Sequence, residues 1–181
     1  MESKFFGCAM LQTHIHILES GEVYVGRPPN ANAINLGANS PTELVMRLAG
    51  PWLNAGRNIT VDNHFTSLPL AECLLAQRTT YVGTIRKNKR DIPSVLFLTR
   101  RMRVESSVFC FDRQFTLVSY ILKVNKAVIL LSTMHHDKNI NQTNHNKPEI
   151  IEYYNQTKSG VDNLDHLTRI YSCNVKRDVG R

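Results

Sequence analysis

Between Arg57 and Ser132 the chain switches repeatedly between two hydrophobic periods, and no other feature restricts its fold as tightly. Arg57-Asn-Ile-Thr-Val-Asp62 is short and β-branched, the composition of a strand that ends in an acid. Leu70, Leu74 and Leu75 follow at helical spacing behind Thr66 or Ser67, either of which can cap a helix running to about Gln77. Thr80–Ile85 returns to the strand pattern. Val108–Phe111, Phe115–Tyr120 and Ala127–Ser132 give three more strands, the last two separated by a turn near Asn125. Such alternation predicts a mixed α/β layout with one sheet and several helices.

The flanks add to this plan. Residues 4–18 are largely apolar and end in an alternating run, with Ile15 and Ile17 on one face and His14 and His16 on the other. Ser20-Gly21 is a turn signal, and Glu22–Val25 reads as the return strand of a hairpin. Residues 26–40 are rich in Gly, Pro and Asn, a loop. Ser40-Pro41-Thr42-Glu43 fits a capping box with Pro at the first helical position, and Gly50-Pro51 ends the helix that it opens. Residues 135–147 are polar and rich in Asn and His, the composition of a mobile connection. Pro148 can start a helix through Glu149, Ile150, Ile151, Tyr153 and Tyr154, its pattern continuing toward Ile170 past a break near Lys158-Ser159-Gly160. No repeat and no boundary divides the 181 residues, so they are expected to form one domain or part of one.

Composition narrows the class. With 42% hydrophobic and 20% charged residues, the chain can bury a core. No apolar run approaches the ~18 residues of a membrane span, and no secretory leader is evident, so no membrane partner is expected. Cys8, Cys73, Cys110 and Cys173 lie too far apart for a zinc finger and read as free thiols. The formal net charge is +7, which favours polyanions. It is concentrated: Arg86, Lys87, Lys89, Arg90, Arg100, Arg101 and Arg103 crowd one segment against a single acid, Asp91. Such a density can neutralise several phosphates.

Three acids are candidates for chemistry on those phosphates. Enzymes that cut or transfer DNA strands on an RNase H-like sheet converge carboxylates from distant segments on divalent metal, which is hard and prefers oxygen. Asp62 sits at a predicted strand end. Asp162 and Asp165 lie three apart on a predicted helix and share a face.

The words around these acids are more specific than their spacing. Asn58-Ile-Thr-Val-Asp62-Asn-His-Phe-Thr-Ser67 resembles the motif around the second catalytic aspartate of piggyBac-type transposases. Tyr81-Val-Gly-Thr-Ile-Arg86-Lys-Asn-Lys-Arg90-Asp-Ile-Pro93 resembles the stretch that follows it in that family. Lys147-Pro-Glu-Ile-Ile-Glu-Tyr-Tyr-Asn155-Gln-Thr-Lys158-Ser-Gly-Val-Asp162-Asn-Leu-Asp165 is similar to the segment with the third aspartate. The resemblance runs from about Gly7 to Cys173. It implies an RNase H-like α/β fold, a mixed sheet flanked by helices, and a partial catalytic domain over residues 1–181, cut short at both ends relative to the family. It also implies a site of three aspartates, Mg²⁺, and cut-and-paste movement of DNA into TTAA targets. By position, Asp62 and Asp162 match the second and third acids and would hold the metal, with Asp165 a nearby helper. Arg86, Lys87, Lys89, Arg90 and Lys158 would meet DNA backbone.

One position departs from the pattern. Aligning back from Tyr24-Val-Gly-Arg27 puts Gln12 at the place of the first acid, and no Asp or Glu lies between Lys4 and Leu18. A neutral amide oxygen there removes one negative charge shared by the metal ions, so strand cleavage is expected to be lost or much reduced. His14 and His16 do not substitute for it, because imidazole suits Zn²⁺ better than Mg²⁺. The alternatives are a DNA- or chromatin-binding module that reuses the fold without metal, and a decayed fragment. The family's substrate implies the nucleus, DNA as partner, and a homodimer or a full-length transposase as the assembly. Trp52 is expected to pack at a helix end. Cys110 is expected to be a buried small hydrophobe, and His135, His136 and His145 to be solvated.

Overall fold

The computed structural model describes residues 4–12, 15–24, 40–97 and 102–158, with His166 and Ile170 as single helical positions. Strands β1 (Lys4–Gln12) and β2 (Ile15–Tyr24) pair antiparallel, Lys4 opposite Tyr24 and Gln12 opposite Ile15. The reversal therefore falls between Gln12 and Ile15. Ser20-Gly21, expected as the turn, lies inside β2, with Gly21 opposite Gly7 and a bulge between Cys8 and Ala9. Glycine inside a strand often marks a bulge, so the same residue that signals a turn is equally compatible with an irregular ladder.

Helix α1 (Pro41–Ala49) begins as its capping box predicts. The Ser40 hydroxyl accepts from the Glu43 amide at 3.1 Å, and Pro41 occupies the first turn, where its missing N–H costs nothing. Strand β3 (Asn58–Val61) leads through a tight turn to α2 (Leu68–Ala76), and β4 (Thr80–Thr84) returns parallel to β3. Ser67, not Thr66, caps α2. The Thr66 hydroxyl instead donates to the Asp62 carbonyl at 3.0 Å. Strands β5 (Ser107–Asp112), β6 (Phe115–Lys123) and β7 (Lys126–Ser132) form an antiparallel meander, and the β6–β7 turn uses Asn125 at φ 61°, a conformation that asparagine tolerates. The β7 strand pairs antiparallel with β4, giving the sheet order β3-β4-β7-β6-β5.

Helices cover both faces of this mixed sheet, the arrangement of an RNase H-like α/β fold. Val45 and Ala49 of α1 join Leu70, Ala71 and Leu74 of α2 and the buried Ile92 and Leu96 against Ile59, Tyr81, Leu117, Ile129 and Leu131. On the opposite face α3 (Glu149–Thr157) sets Ile150, Ile151 and Tyr154 against Val82, Val118, Tyr120 and Leu130. Central strands covered on both faces need apolar side chains on both, which is why β6 and β7 read as continuous hydrophobic runs. Each such side chain contributes about 1.5–3 kcal/mol on burial.

The connection at 135–147 is held to the fold, contrary to its polar composition. Strands β8 (Ile140–Asn141) and β9 (Lys147–Pro148) pair there. The Asn139 amide donates to Glu149 at 2.8 Å, and the Asn141 and Asn144 amides donate to Glu152 at 3.1 and 2.7 Å. Both carboxylates lie in the first turn of α3, where the helix dipole favours negative charge. The asparagines that suggested mobility are thus the donors that fix the loop. His145 pairs with Glu105 at 2.8 Å.

His135, expected to be solvated, is buried, its ring edge against Tyr153. The Ser132 hydroxyl oxygen already accepts from the Met134 and His135 amides at 3.1 Å each, so its proton is directed to His135 Nδ1 at 2.9 Å. Nδ1 is then an acceptor and the imidazole neutral. Burial lowers its pKa, the nearby His136 lowers it further, and Glu149 opposes both. The unfolded chain therefore takes up a proton first, and stability is complete above the unfolded pKa of about 6.5 and falls as pH drops through it toward the folded value. Shifting from pH ~7.5 to ~5.5 is expected to lower the Tm more for the wild type than for His135→Gln. Equal pH shifts in the two proteins would rule this histidine out.

Candidate active site at the ends of β3 and β4

Parallel strands β3 and β4 both end at the same side of the sheet, where α/β folds commonly place ligands. Alternation puts Ile59 in the core under α1 and α2, and Asn58 and Thr60 on the α3 face. Continued by one pair, it carries Asp62 to that same face. The chain then turns sharply. The Asp62 carbonyl accepts from the Phe65 amide (3.1 Å), the Thr66 amide (3.2 Å) and the Thr66 hydroxyl (3.0 Å). Three donors on one carbonyl fix the backbone that bears Asp62, while its carboxylate stays exposed.

Gly83 makes the close approach of this turn to β4 possible. A Cβ at residue 83 would lie 2.6 Å from Thr66 Oγ1 and 2.9 Å from both Tyr81 Oη and Val61 Cγ2. The Tyr81 phenol beneath is buried, and desolvation raises its pKa. It lies near Thr66 and Ser67 yet meets hydrogen-bond geometry with neither.

The basic segment leaves the end of β4. Its entry is tied by the Ile85 amide to the Ile129 carbonyl at 2.9 Å, and its exit is anchored by buried Ile92 and Leu96. Between these anchors Arg86, Lys87, Lys89 and Arg90 are all exposed. Arg86 reaches back to the turn after β3: its Nε donates to Asn63 Oδ1 at 3.2 Å, and one terminal nitrogen lies 3.4 Å from His64 Nδ1. Guanidinium has no acceptor, so in this contact Nδ1 is the acceptor. The structure thus brings Arg86 to the two residues that follow Asp62.

Helix α3 also reaches this corner. Thr60 Oγ1 lies 2.8 Å from Thr157 Oγ1, joining the last turn of α3 to β3 across 97 residues. Lys158 ends the helix with its amide on the Tyr154 carbonyl, and its ammonium sits 5.8 Å from the Tyr154 ring centre. Strand β1, which ends at Gln12, runs near both β3 and α3. Asp162 and Asp165 lie outside the described residues, as do Arg100 and Arg101. Of Gln12 the backbone alone is described. Asp162 follows Thr157 by five residues, a span of at most ~18 Å.

The Asp62 carboxylate is an oxygen donor of the kind a hard divalent cation prefers. Among the described residues no three His, Cys, Asp or Glu side chains cluster as a metal site. Other candidates are explained by packing. The Arg57 guanidinium stacks over Trp52 at 5.0 Å, and Cys110 packs partly buried beside the core. A shallow cavity of about 390 Å³ is lined by Asn141, Asn144, Lys147, Glu152, Asn155 and Gln156, and neither Asp62 nor the basic loop borders it. No helix among the described residues is long and apolar enough to cross a membrane.

Sequence reading missed the links between segments: Arg86 with Asn63 and His64, Thr60 with Thr157, and the asparagines with Glu149 and Glu152. A signal for the second existed in β3, where Asn58 and Thr60 place polar groups on one face of an otherwise apolar strand.

Comparison with known proteins agrees with this fold. The family model described as Transposase IS4 matches residues 6–179. The cryo-EM structure of the piggyBac transposase synaptic complex with hairpin DNA superimposes with a TM-score of 0.70 at 45% identity, covering 83% of this chain. The match spans 31% of that transposase chain.

Proposed function

This chain belongs to the piggyBac-like transposase family, and we propose that residues 1–181 are part of its RNase H-like catalytic domain, carrying a DNA-facing corner built on Asp62 and the 86–90 loop. The observation that carries this reading is the reach of Arg86 from the end of β4 to Asn63 and His64, beside Asp62 at the end of β3. A cation so held sets a phosphate-binding group next to an exposed carboxylate. The relative solved with hairpin DNA supports DNA as the partner.

In this reading the chain's ancestral chemistry is phosphodiester hydrolysis and strand transfer. Asp62 and Asp162 would hold the divalent metal, Mg²⁺, which when bound would supply the charge that polarises the scissile phosphate and lowers the pKa of the attacking group. Asp165 supports its neighbour on the same segment. Arg86, Lys87, Lys89, Arg90 and Lys158 neutralise DNA phosphates and orient the strand. Gln12 at the place of the first acid leaves the metal short of one negative charge, so this copy cleaves DNA poorly. Its setting is the nucleus, alone or in a dimer with itself or with a full-length transposase.

The basic loop gives the direct test. Fluorescence anisotropy with a duplex oligonucleotide between about 50 and 200 mM salt should show affinity falling steeply with salt. Arg86→Ala combined with Lys89→Ala should weaken binding for every sequence and flatten the log–log salt slope by about 0.9 per phosphate contact removed. An unchanged slope would remove the loop from the interface. A second reading, a DNA-binding module without metal, is favoured by Gln12. It requires DNA affinity indifferent to Mg²⁺ and to Asp62→Ala.

A further inference from the structure

The hairpin between β6 and β7 carries a combination that the fold does not need. Lys123 lies directly opposite Lys126, with Val124 and Asn125 as the turn between them. Like charges facing each other across two strands destabilise a hairpin. Both lysines are exposed, and among the described residues no carboxylate pairs with either. Val124 is 77% exposed, at a turn position where a polar side chain is the ordinary choice. Leu122 is the extra residue of the bulge between Ile121 and Lys123, and it too is exposed.

The segment entering β5 widens this strip. The Glu105 amide donates to the Ile121 carbonyl at 2.8 Å and the Ile121 amide to the Ser106 carbonyl at 3.0 Å, so this segment runs beside Leu122. It adds exposed Arg103 and Val104, while its acid, Glu105, is engaged by His145. Apolar side chains scattered singly on a surface need no partner. Three of them grouped with three cations match a surface that is anionic at its rim and less polar within, the profile of a DNA groove.

Topology brings the strip to the end of the sheet that carries Asp62 and the 86–90 loop. Strand β7 runs antiparallel to β4, with Thr84 opposite Leu130, so β7 starts at the end where β3 and β4 stop. Lys126 precedes Leu130 by four residues, so the hairpin projects ~13 Å past Thr84.

We propose that the β6–β7 tip is a second DNA contact, in which Lys123 and Lys126 take the phosphates that border a minor groove and Val124 enters it as an apolar wedge. This rests on the reading of DNA as the partner given above. Paired residues of an antiparallel ladder stand ~4.5–5.5 Å apart, close to the ~6 Å width of that groove. Valine offers base edges no hydrogen bond, so the tip senses groove shape and not sequence, and wedges of this kind kink the duplex.

Fluorescence anisotropy of the full chain with an A·T-rich duplex, and energy transfer between dyes at the two ends of that duplex, test this. Lys123→Ala combined with Lys126→Ala should flatten the log–log salt slope by about 1.8, two contacts at about 0.9 each. Val124→Ser should leave the slope unchanged, weaken binding ~10-fold and relax the bend. Netropsin, a minor-groove ligand, should abolish the difference between wild type and Val124→Ser; a difference that survives it overturns the groove assignment. Lys126→Glu separates the role from folding, because it relieves the facing charges: its Tm should rise by about 1–4 °C while its DNA affinity falls. If Arg86→Ala with Lys89→Ala weakens binding but every tip variant binds as wild type does, the tip alone is overturned. A wild type that ignores the duplex, or binds it without salt dependence, overturns DNA as the partner and the tip with it. Tip variants that lose adsorption to phosphatidylserine vesicles yet keep full DNA affinity would assign the tip to a lipid surface instead.

Discussion

Gln12→Asp is expected to tighten Mg²⁺ or Mn²⁺ binding at least ~10-fold, measured by calorimetry beside the wild type. A carboxylate replaces a neutral amide at the end of β1, which runs near β3 and α3. One added unit charge ~4 Å from a unit charge at an effective dielectric of ~20 is worth ~4 kcal/mol before screening and dehydration. A fraction of that, about 1.4–2.8 kcal/mol, is a 10- to 100-fold gain. The wild type should bind weakly and cut DNA little. Tight wild-type binding that Gln12→Asp does not improve would mean that catalysis was not lost at this position. No binding by either protein would mean that the acids do not assemble, and the metal-free module would take precedence.

The largest loss of stability should come from Gly83→Val. Even the first atom of a side chain there would meet Thr66 Oγ1, Tyr81 Oη and Val61 Cγ2 at 2.6–2.9 Å. Thr66 is buried, β-branched and bonded to the Asp62 carbonyl, so it has nowhere to rotate. Overpacking of this kind costs about 1–3 kcal/mol for Gly83→Ala, and the branched valine should exceed that. For a chain of this size each kcal/mol lowers the Tm by about 2–4 °C, so Gly83→Val should melt at least ~6 °C below wild type. Tyr81→Phe alone should be near neutral or slightly stabilising, because it removes a buried hydroxyl that has no partner. Combined with Gly83→Ala it should recover part of the loss by removing one of the three clashes. A Gly83→Val melt within ~2 °C of wild type would show that the turn after β3 yields easily.

The strands of the five-stranded sheet and the caps of α1 and α2 could be read from the chain because each is a local property. Ser40 and Glu43 lie three residues apart, and the period of β3 or α2 is set by a few consecutive side chains. The same reasoning misjudged Ser20-Gly21, since glycine serves a turn and a bulge alike. It also misread residues 135–147, whose asparagines find their acceptors on α3 and not in water. For His135 it lacked the fact that Ser132 and Tyr153 enclose the ring.

By itself, then, the sequence determined the order of strands and helices, the basic loop, the acid at the end of β3 and the words that tie the chain to its family. Only the tertiary structure decided that Arg86 reaches Asn63 and His64, that Thr60 meets Thr157, and that Gly83 is demanded by Thr66. The reason is that periodicity and capping act between neighbours in sequence. A bond across 97 residues depends on strand order, on register and on which face each helix covers, quantities set by burying both sides of the sheet at once.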